Sequence, residues 1–393
     1  MLKVEKKKCR VHSLTGRITF CALQRAFKMV RRNRGAAGID KVSIKMFESN
    51  LSENLLGLGR QLKDRTYQSL ALRRKYIPKG NSGKLRPLGI PAVRCRVAQE
   101  MIRYLINPIF ERIFHDSSHG FRQRRSCHTA IRQLIEYYKQ GYKVVVDADI
   151  KGFFDNIPHK LILDMVAAEI SDGNILGLIK KFLQAGVMEE GHIKPTYKGT
   201  PQGGVISPLL ANIVLNHLDW TLDKHGFKFV RYADDFVVLC KTRHQAEEAL
   251  AVVKDCLEND LELELKAEKS RIATFGQGFN FLGYYISART IRMSRKAEDN
   301  FKNKIREATI RSHNLNSEVV TKMNRIIRGT VNYFYASFST CLGQFNVLDK
   351  WIRKRIRCKK YKRIWMSDNN RLLNKHIRRM GFLTCRELCL ATR

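Results

Sequence analysis

The sequence predicts an α+β fold, and two patterns support that prediction. The first is a pair of apolar, β-branched runs on either side of two adjacent aspartates, which is typical of a strand hairpin. The second is a set of segments whose apolar residues recur every three or four positions, which is typical of amphipathic helices. Helices and an antiparallel hairpin are therefore expected in the same chain.

The hairpin pattern is clearest at residues 229–239, around Asp234 and Asp235. We place these two aspartates at the tip of a tight turn, where both carboxylates lean toward one point. Carboxylates held that close repel each other unless a cation lies between them. A divalent-metal site and an ordinary solvated turn both fit this stretch, because aspartate is a common turn residue.

Composition narrows the class of protein. The length of 393 residues suggests two or three domains. The 73 Lys and Arg residues against 36 Asp and Glu give a net charge of +37, which points to a polyanionic partner. We expect no membrane segment, because no apolar run approaches the roughly 20 residues of a spanning helix. The Lys-rich start also has no apolar signal core.

The N-terminal region is basic and helical in pattern. Residues 1–35 carry eleven Lys and Arg and one acid, and helical periodicity extends over residues 19–34. The charged face is a polyanion contact, a solvated surface of a packed helix, or both. A glycine-rich turn at residues 35–40 precedes a second amphipathic helix, predicted over residues 43–58.

A second hairpin is predicted over residues 72–91, where two strand-like segments flank a Gly-Asn-Ser-Gly turn. Lys79 and Arg86 are expected to face each other across it, because Pro78 and Pro87 stiffen their surroundings. Arg offers bidentate contacts and Lys a point charge, which suits capture of a triphosphate. A charged edge hairpin that deters aggregation fits the same residues.

A third carboxylate lies near the end of a strand predicted over residues 143–150. Alternation along that strand places Asp147 and Asp149 on one face. A turn then leads into a helix from about His159. An aspartate at the end of this strand suits the Asp-Asp hairpin, because two-metal nucleotidyl transfer takes carboxylates from separate elements and holds ions about 3.5–4 Å apart.

A Gly/Pro loop precedes a helix predicted from Ser207. Ser207 is expected as its N-cap, with Pro208 in the first turn. Such a loop lets the backbone approach a ligand closely, and Gln202 is placed to bond a sugar or base edge. A simple turn before a packed helix explains the same residues.

Short motifs follow one another in order through the chain. They are Ile-Pro-Lys at 77–79, Arg-Pro-Leu-Gly-Ile-Pro at 86–91, Gly-Phe-Arg at 120–122, Asp-Ile-Lys-Gly-Phe-Phe-Asp at 149–155, Thr-Pro-Gln-Gly-Gly-Val-Ile-Ser-Pro-Leu-Leu-Ala-Asn at 200–212, Tyr-Ala-Asp-Asp at 232–235, Leu-Glu-Leu at 263–265, Glu-Lys-Ser at 268–270 and Phe-Asn-Phe-Leu-Gly-Tyr at 279–284. In order and spacing they resemble the reverse transcriptases of bacterial group II introns, the intron-encoded maturases. The resemblance extends over about residues 35–348. One motif alone is moderate support, whereas the ordered series is very specific.

The resemblance implies a right-hand polymerase with fingers, a palm built on an antiparallel sheet and a helical thumb. We expect a basic N-terminal extension and fingers over residues 1–95 and a palm with interleaved fingers elements over residues 96–285. A helical thumb, or maturase domain X, with a basic tail is expected over residues 286–393. The implied enzyme is an RNA-directed DNA polymerase of a retroelement. This nucleotidyltransferase extends the 3′-hydroxyl of a DNA or RNA primer with dNTPs on an RNA template.

The resemblance also implies the metal ligands. Asp149 and Asp234 would ligate the metal, Asp235 would assist, and the Ile150 carbonyl would complete a site. The implied cofactor is two Mg²⁺ ions, with Mn²⁺ as a substitute. Asp147 and Asp155 match no family ligand and are expected to be structural.

The remaining implied roles concern the nucleotide. Lys79 and Arg86 would hold the incoming triphosphate, and Gln202 would line the nucleotide pocket. Phe154 lies where the family places an aromatic gate against the ribose 2′-hydroxyl. Lys269 matches the loop lysine proposed as general acid to the pyrophosphate leaving group.

The C-terminal region is basic again, with 25 Lys and Arg against 7 Asp and Glu over residues 291–393. Apolar residues from Val320 to Phe338 predict a helix with one apolar face, whose aromatic stripe belongs to a core. Residues 328–334 resemble the maturase thumb, which grips intron RNA. Non-specific phosphate contact and recognition of RNA shape would both explain the charge. The expected RNA contacts are Arg325, Arg328, Arg353, Lys354, Arg355 and Arg357.

The ten cysteines form no CxxC pair, so we expect reduced thiols in a cytoplasmic bacterial ribonucleoprotein. No cysteine quartet matches the His-Asn-His zinc endonuclease that some relatives carry, so we expect a reverse transcriptase without that domain. The alternatives are a splicing cofactor with a vestigial polymerase and a host-adopted enzyme of repair or antiphage defence. The intact aspartates argue against the vestigial polymerase.

Overall fold

The structure, a computed structural model, describes residues 10–78, 85–201, 203–266, 268, 270–311 and 314–391. The chain forms two compact units, residues 1–272 and 273–393. The first unit includes the region that the sequence assigns to the fingers and most of the region assigned to the palm. The division falls within the strand Arg271–Thr274, earlier than the expected thumb boundary at residue 286. The three-part assignment stays a prediction.

The first unit is mainly helical. A 3₁₀ turn at Thr15–Arg17 precedes its first helix, and a π-turn at Cys256–Asp260 follows its last described one. Its α-helices are α1 (Phe20–Arg32), α2 (Ile44–Ser49), α3 (Leu51–Lys63), α4 (Val93–Glu111), α5 (Cys127–Lys139), α6 (Phe153–Asn156), α7 (His159–Ala167), α8 (Gly173–Leu183), α9 (Ser207–Lys224) and α10 (Arg243–Asp255).

The first basic helix is confirmed as α1, with the Thr19 hydroxyl accepting the Ala22 N–H at its start. The single helix predicted over residues 43–58 is wrong, because the chain divides it into α2 and α3 at Asn50. Asn50 has φ −120° and ψ 44°, which is not helical. Asparagine competes with the helical backbone for hydrogen bonds and therefore favours such breaks.

One sheet carries the basic hairpin. In its order β2-β1-β4-β5, the β1 and β2 strands pair antiparallel, with Pro78 opposite Leu85 and Ile77 opposite Arg86. The second hairpin is therefore confirmed. Lys79 lies outside the described residues, so its position across from Arg86 stays a prediction. The strands are β1 (Leu72–Pro78), β2 (Leu85–Ile90), β4 (Val187–Glu189) and β5 (His192–Lys194).

A second sheet, in the order β6-β7-β3-β8, carries the aspartate hairpin. The β7 strand pairs antiparallel with β6 on one side and with β3 on the other. Its apolar residues are buried and belong to the core of the first unit, together with those of α4 and α9. The strands are β3 (Val144–Ala148), β6 (Lys228–Tyr232), β7 (Asp235–Cys240) and β8 (Arg271–Thr274).

The second unit combines a small antiparallel sheet, in the order β11-β10-β9, with helices. Its elements are β9 (Phe279–Phe281), β10 (Tyr284–Ile286), β11 (Ile291–Met293), α11 (Arg295–Ala308), α12 (Ser317–Phe334), α13 (Leu342–Tyr361), α14 (Asp368–Arg371), α15 (Asn374–Arg379) and α16 (Cys385–Ala391).

The α12 helix has the apolar face that its periodicity predicts. Met323, Ile327, Val331 and Phe334 are buried along it, so the stripe is core. The helix ends at Phe334, and Phe338 follows outside it. Among the described residues, no helix is both long and apolar enough to cross a membrane. The described cysteines are free thiols.

Candidate active site

One cleft of about 640 Å³ in the first unit brings together most of the described catalytic, metal-binding and nucleotide-binding candidates. It lies among the basic hairpin, the end of β3, the start of α9 and the aspartate turn. Asp235 is not among its lining residues. Lys79, Gln202 and Lys269 lie outside the described residues. The predicted site residues that line the cleft are Arg86, Asp149, Ile150, Phe154 and Asp234.

The aspartate turn is shifted by one residue from its expected position. Tyr232 pairs with Asp235, so Ala233 and Asp234 form the turn and Asp235 already begins β7. Ala233 has φ +60°, which is uncommon for a residue with a Cβ. The prediction that Asp234 and Asp235 together form the tip is therefore wrong. Asp234 is half-buried in the cleft, whereas Asp235 is exposed.

Gly120 makes room for this turn. A Cβ atom on Gly120 would lie 2.3 Å from the Ala233 nitrogen, closer than atoms can approach. The Asn212 side-chain amide donates to the Gly120 carbonyl at 2.8 Å and ties this loop to α9. The Gly-Phe-Arg motif therefore supports the aspartate turn by a close backbone approach that a side chain would prevent.

Arg231 stabilises the turn by a hydrogen bond to the Ala233 carbonyl, and the sequence did not predict this role. Its guanidinium is fully buried and donates to the Asn212 side-chain oxygen at 2.9 Å and to the Ala233 carbonyl at 3.0 Å. It also forms an ion pair with Asp219, which is fully buried on α9. Both charges are satisfied inside the core, so removing one would leave the other without its partner. The available signal was an arginine that directly follows two apolar residues of a predicted strand.

Asp149 reaches the cleft from just beyond β3. The Lys266 N–H donates to the Asp149 carbonyl at 2.8 Å, and the Lys151 N–H donates to the Glu264 carbonyl at 2.9 Å. These two bonds lie on either side of the antiparallel bridge between Ile150 and Leu265, so the Ile150 carbonyl does not accept a hydrogen bond within that bridge. Ile150 itself lines the cleft.

The pKa of the cleft carboxylate Asp234 is shifted by its surroundings. Burial raises the pKa of Asp234, and the nearby charge of Asp149 raises it further. Arg86 and Arg231 act in the opposite direction. Asp149, Asp234 and Ile150 all line the cleft, and carboxylate and carbonyl oxygens are donors that suit hard divalent cations such as Mg²⁺ or Mn²⁺. The chemistry of these donors therefore fits the metal that the sequence analysis implies.

The other two aspartates of this segment have different surroundings. Asp147 lies within β3, and its carboxylate is 3.5 Å from the Arg271 guanidinium. Asp155 lines the cleft from α6, beside the predicted gate Phe154. The Phe154 ring is half-buried and lies edge-on to Phe153, with ring centroids 5.3 Å apart.

The Gly/Pro loop closes the cleft at the start of α9. Gly203 has φ +113°, and a Cβ there would lie 2.3 Å from the Gly89 carbonyl oxygen, so the loop packs tightly on β2. The prediction of Ser207 as N-cap is wrong, because it is the first helical residue and its hydroxyl donates to the Pro201 carbonyl at 3.0 Å. Pro208 lies in the first turn, as predicted.

The cleft also contains residues that the sequence analysis did not select. Lys266 contributes a cation to the cleft lining. Phe121 contributes an exposed aromatic ring, and its backbone has φ +60°. Phe121 belongs to the Gly-Phe-Arg motif and Lys266 follows the Leu-Glu-Leu motif, so motif position was the available signal.

Among the described residues, another potential metal-ligand group is His217, Cys256 and Asp260. A 2.9 Å hydrogen bond joins the half-exposed His217 and Asp260 side chains.

The predicted RNA-binding cations of the second unit differ in exposure. Arg325, Arg328 and Lys354 are exposed, and Arg353 is half-buried. Arg355 donates to the Thr309 hydroxyl and carbonyl, both at 3.0 Å.

Arg357 donates to the Leu372 carbonyl at 2.9 Å and to the Asn374 side-chain oxygen at the same distance. Lys359, two residues further along the same helix, is buried, and its ammonium donates to the Ile310 carbonyl at 2.9 Å. The basic run therefore also braces the unit internally. The RNA-binding roles stay predictions.

Comparison with known proteins matches this arrangement to a family. The family described as "Reverse transcriptase (RNA-dependent DNA polymerase)" matches residues 77–286. The family described as "Group II intron, maturase-specific domain" matches residues 299–380.

Two curated relatives extend the comparison. Protein YkfC of Escherichia coli (strain K12) is 36% identical over 304 residues, which are 67% of this chain and 80% of YkfC. The group II intron-encoded protein LtrA of Lactococcus lactis subsp. cremoris is 34% identical over 313 residues. That match covers 63% of this chain and 52% of LtrA, about half of the relative's length. The solved "Partial Cas6-RT-Cas1--Cas2 complex" has a TM-score of 0.40 at 26% identity, over 63% of this chain and 42% of that one.

The chain belongs to the reverse transcriptase family, whose members are RNA-dependent DNA polymerases that use divalent metal ions. Its second unit carries the maturase-specific domain of group II introns. The protein is therefore an RNA-directed DNA polymerase of the group II intron type, and RNA is its class of partner.

Proposed function

We propose that this reverse transcriptase joins dNTPs to a primer 3′-hydroxyl on an RNA template in the described cleft, with two Mg²⁺ ions, or Mn²⁺, as cofactor. The observation that carries the proposal is that Asp149 and Asp234, from separate elements, both line this cleft, where the charge of Asp149 contributes to the raised pKa of Asp234. Bound ions would stabilise charge on the attacking and leaving oxygens. Asp149, Asp234 and the Ile150 carbonyl hold them, and Asp235 assists.

The surrounding residues orient the nucleotide. Arg86 lies on the basic hairpin, lines the same cleft as the carboxylates and contacts the triphosphate, for which its planar guanidinium is suited. The Phe154 ring limits space beside the sugar and thereby selects deoxynucleotides. Lys79, Gln202 and Lys269 remain proposed as triphosphate ligand, pocket residue and general acid, respectively, on the basis of their motif positions.

The maturase-specific domain supports a second role, binding of group II intron RNA to promote splicing and mobility. Arg325, Arg328 and Lys354 present exposed cations for phosphate contact. The enzyme would then work in the bacterial cytoplasm as a ribonucleoprotein with intron RNA.

Primer extension on an RNA template tests the polymerase site. Asp234→Asn should reduce the rate by roughly a hundredfold to a thousandfold or more, since removal of one electrostatic stabiliser of a transition state has effects of that order. Asp235→Asn should reduce the rate of primer extension by a smaller factor, because the Asp235 side chain does not line the cleft. Asp147→Asn is the matched control and should keep most activity, because its carboxylate pairs with Arg271 instead.

Equal synthesis by wild type and Asp234→Asn would contradict the proposed site, as would equal losses in Asp147→Asn. Splicing of the flanking intron by the same variant separates the two roles. RNA binding needs no catalytic metal, so Asp234→Asn should still promote splicing. Loss of splicing together with synthesis would contradict independent roles.

A further inference from the structure

An exposed aromatic segment follows α13 in the second unit. Lys362 ends the helix with φ +58°, and the chain then presents Ile364, Trp365 and Met366 to solvent. Their exposed fractions are 56%, 65% and 81%, respectively. Three consecutive large apolar side chains on the surface indicate an interaction site rather than incidental exposure.

The tryptophan is held in place from one side. The Arg363 guanidinium carbon lies 4.7 Å from the centre of the Trp365 ring. Arg363 is itself oriented by an ion pair of 3.0 Å with Asp368, which is buried. The Trp365 carbonyl accepts the Asp368 N–H at 3.3 Å. With arginine against one side of the ring and 65% of the residue exposed, the ring offers a preorganised stacking surface.

Basic side chains share a cavity with this tryptophan. A cavity of about 420 Å³ is lined by Ile364, Trp365 and Met366 together with basic side chains of α13. Arg357 is fixed in this wall by its bonds to Leu372 and Asn374. The basic residues of the wall are Lys350, Arg353, Lys354 and Arg357.

We propose that this cavity binds an unpaired nucleotide of RNA, with its base stacked on Trp365 and its phosphates against the cations of α13. The inference rests on the proposed RNA-binding function and names the RNA element that this site takes. An aromatic ring beside a basic wall matches the stacked base and charged backbone of a single strand. Bases inside an A-form helix are already stacked and offer no face to Trp365.

An apolar protein partner is less suited to this cavity, because it would remove four cations from water without pairing them. An anionic lipid surface would also complement the cations of this cavity, but it has no flat ring to stack on Trp365. Binding to lipid vesicles is therefore tested as the alternative outcome.

Binding of two RNA probes tests the inference in the full-length protein. One probe is a single-stranded oligoribonucleotide with a fluorescent base analogue, and the other is a blunt RNA duplex of equal length. Trp365→Ala should weaken single-strand binding roughly tenfold, a typical loss for one stacked base, and leave duplex binding nearly unchanged. Trp365→Phe should restore most of the affinity and the quenching of the analogue. Lys354→Gln is the charge control and should weaken both probes and lower the salt dependence.

Wild-type affinity for the single strand in Trp365→Ala would overturn the inference, as would equal losses on both probes. Loss of affinity without rescue by Trp365→Phe would also overturn it. Binding to phosphatidylserine vesicles that depends on Trp365, with RNA binding that does not, would replace the nucleotide with a lipid surface. Failure of the wild type to bind either probe would instead contradict the proposed RNA-binding function itself. The polymerase proposal has its own test in Asp234→Asn.

Discussion

The aspartate turn of the first unit and the aromatic segment of the second differ in where their cations lie, buried in the first and at the surface in the second. Around Asp234 the supporting cation, Arg231, is fully buried and bonded to a carboxylate, an amide and a carbonyl. Around Trp365 the cations line an open cavity at the surface. Chemistry on a phosphate requires fixed geometry before substrate arrives, whereas contact with a polyanion requires accessible charge. The first region is therefore expected to be sensitive to small changes and the second to be tolerant of them.

The largest expected difference concerns the two kinds of arginine. Arg231→Met leaves Asp219 buried without its partner and should cost about 3–5 kcal/mol in the free energy of unfolding. Arg325→Met, on the exposed side of α12, is the matched control and should change that free energy by less than about 0.5 kcal/mol. Urea denaturation followed by circular dichroism measures both. A loss below about 1 kcal/mol in Arg231→Met would show that the buried pair does not support the turn.

A smaller and opposite pair of effects is expected at two glycines. Gly120→Ala places a Cβ against the Ala233 backbone and should destabilise the protein by about 1–3 kcal/mol, with a matching loss of polymerase activity. Gly329→Ala lies in α12 with nothing within 4 Å of its Cβ and should stabilise by about 0.4–1 kcal/mol. Thermal unfolding and primer extension measure both variants. If Gly120→Ala and Gly329→Ala changed the free energy of unfolding equally and with the same sign, the proposed difference between the two regions would be wrong.

The smallest expected effect is a pH dependence at Asp234. Its pKa is raised in the folded state, chiefly by burial, so the associated stability is present below the unfolded pKa of about 3.9 and is lost as pH rises through the folded value. At neutral pH without divalent ions, Asp234→Asn should therefore have a higher Tm than wild type, and the difference should vanish in acid.

Mg²⁺ should raise the Tm of wild type more than that of Asp234→Asn, because only the wild type keeps both carboxylates. Asp299→Asn, at an exposed carboxylate of the second unit, is the control and should show neither effect. A wild-type Tm above that of Asp234→Asn at neutral pH in the absence of divalent ions would contradict the prediction.

The local elements were largely predictable. Both hairpins, the first basic helix and the apolar face of α12 follow from the spacing of neighbouring residues, and the structure contains each of them. The joint position of Asp149 and Asp234 was also expected, from the order of motifs rather than from periodicity. The one-residue shift of the turn was not, because register depends on which residues of the two strands pair.

By itself the sequence determined the class of chemistry, since carboxylates, a basic hairpin and a Gly/Pro loop recur in one order. Tertiary structure decided how these parts are supported. Arg231 meets Asp219 across strand and helix, Gly120 touches a turn more than a hundred residues away, and Lys359 points inward. Such contacts join residues distant in the chain, and periodicity reports only on neighbours. The physical reason is that burial and charge pairing are properties of the assembled core, which no short segment contains.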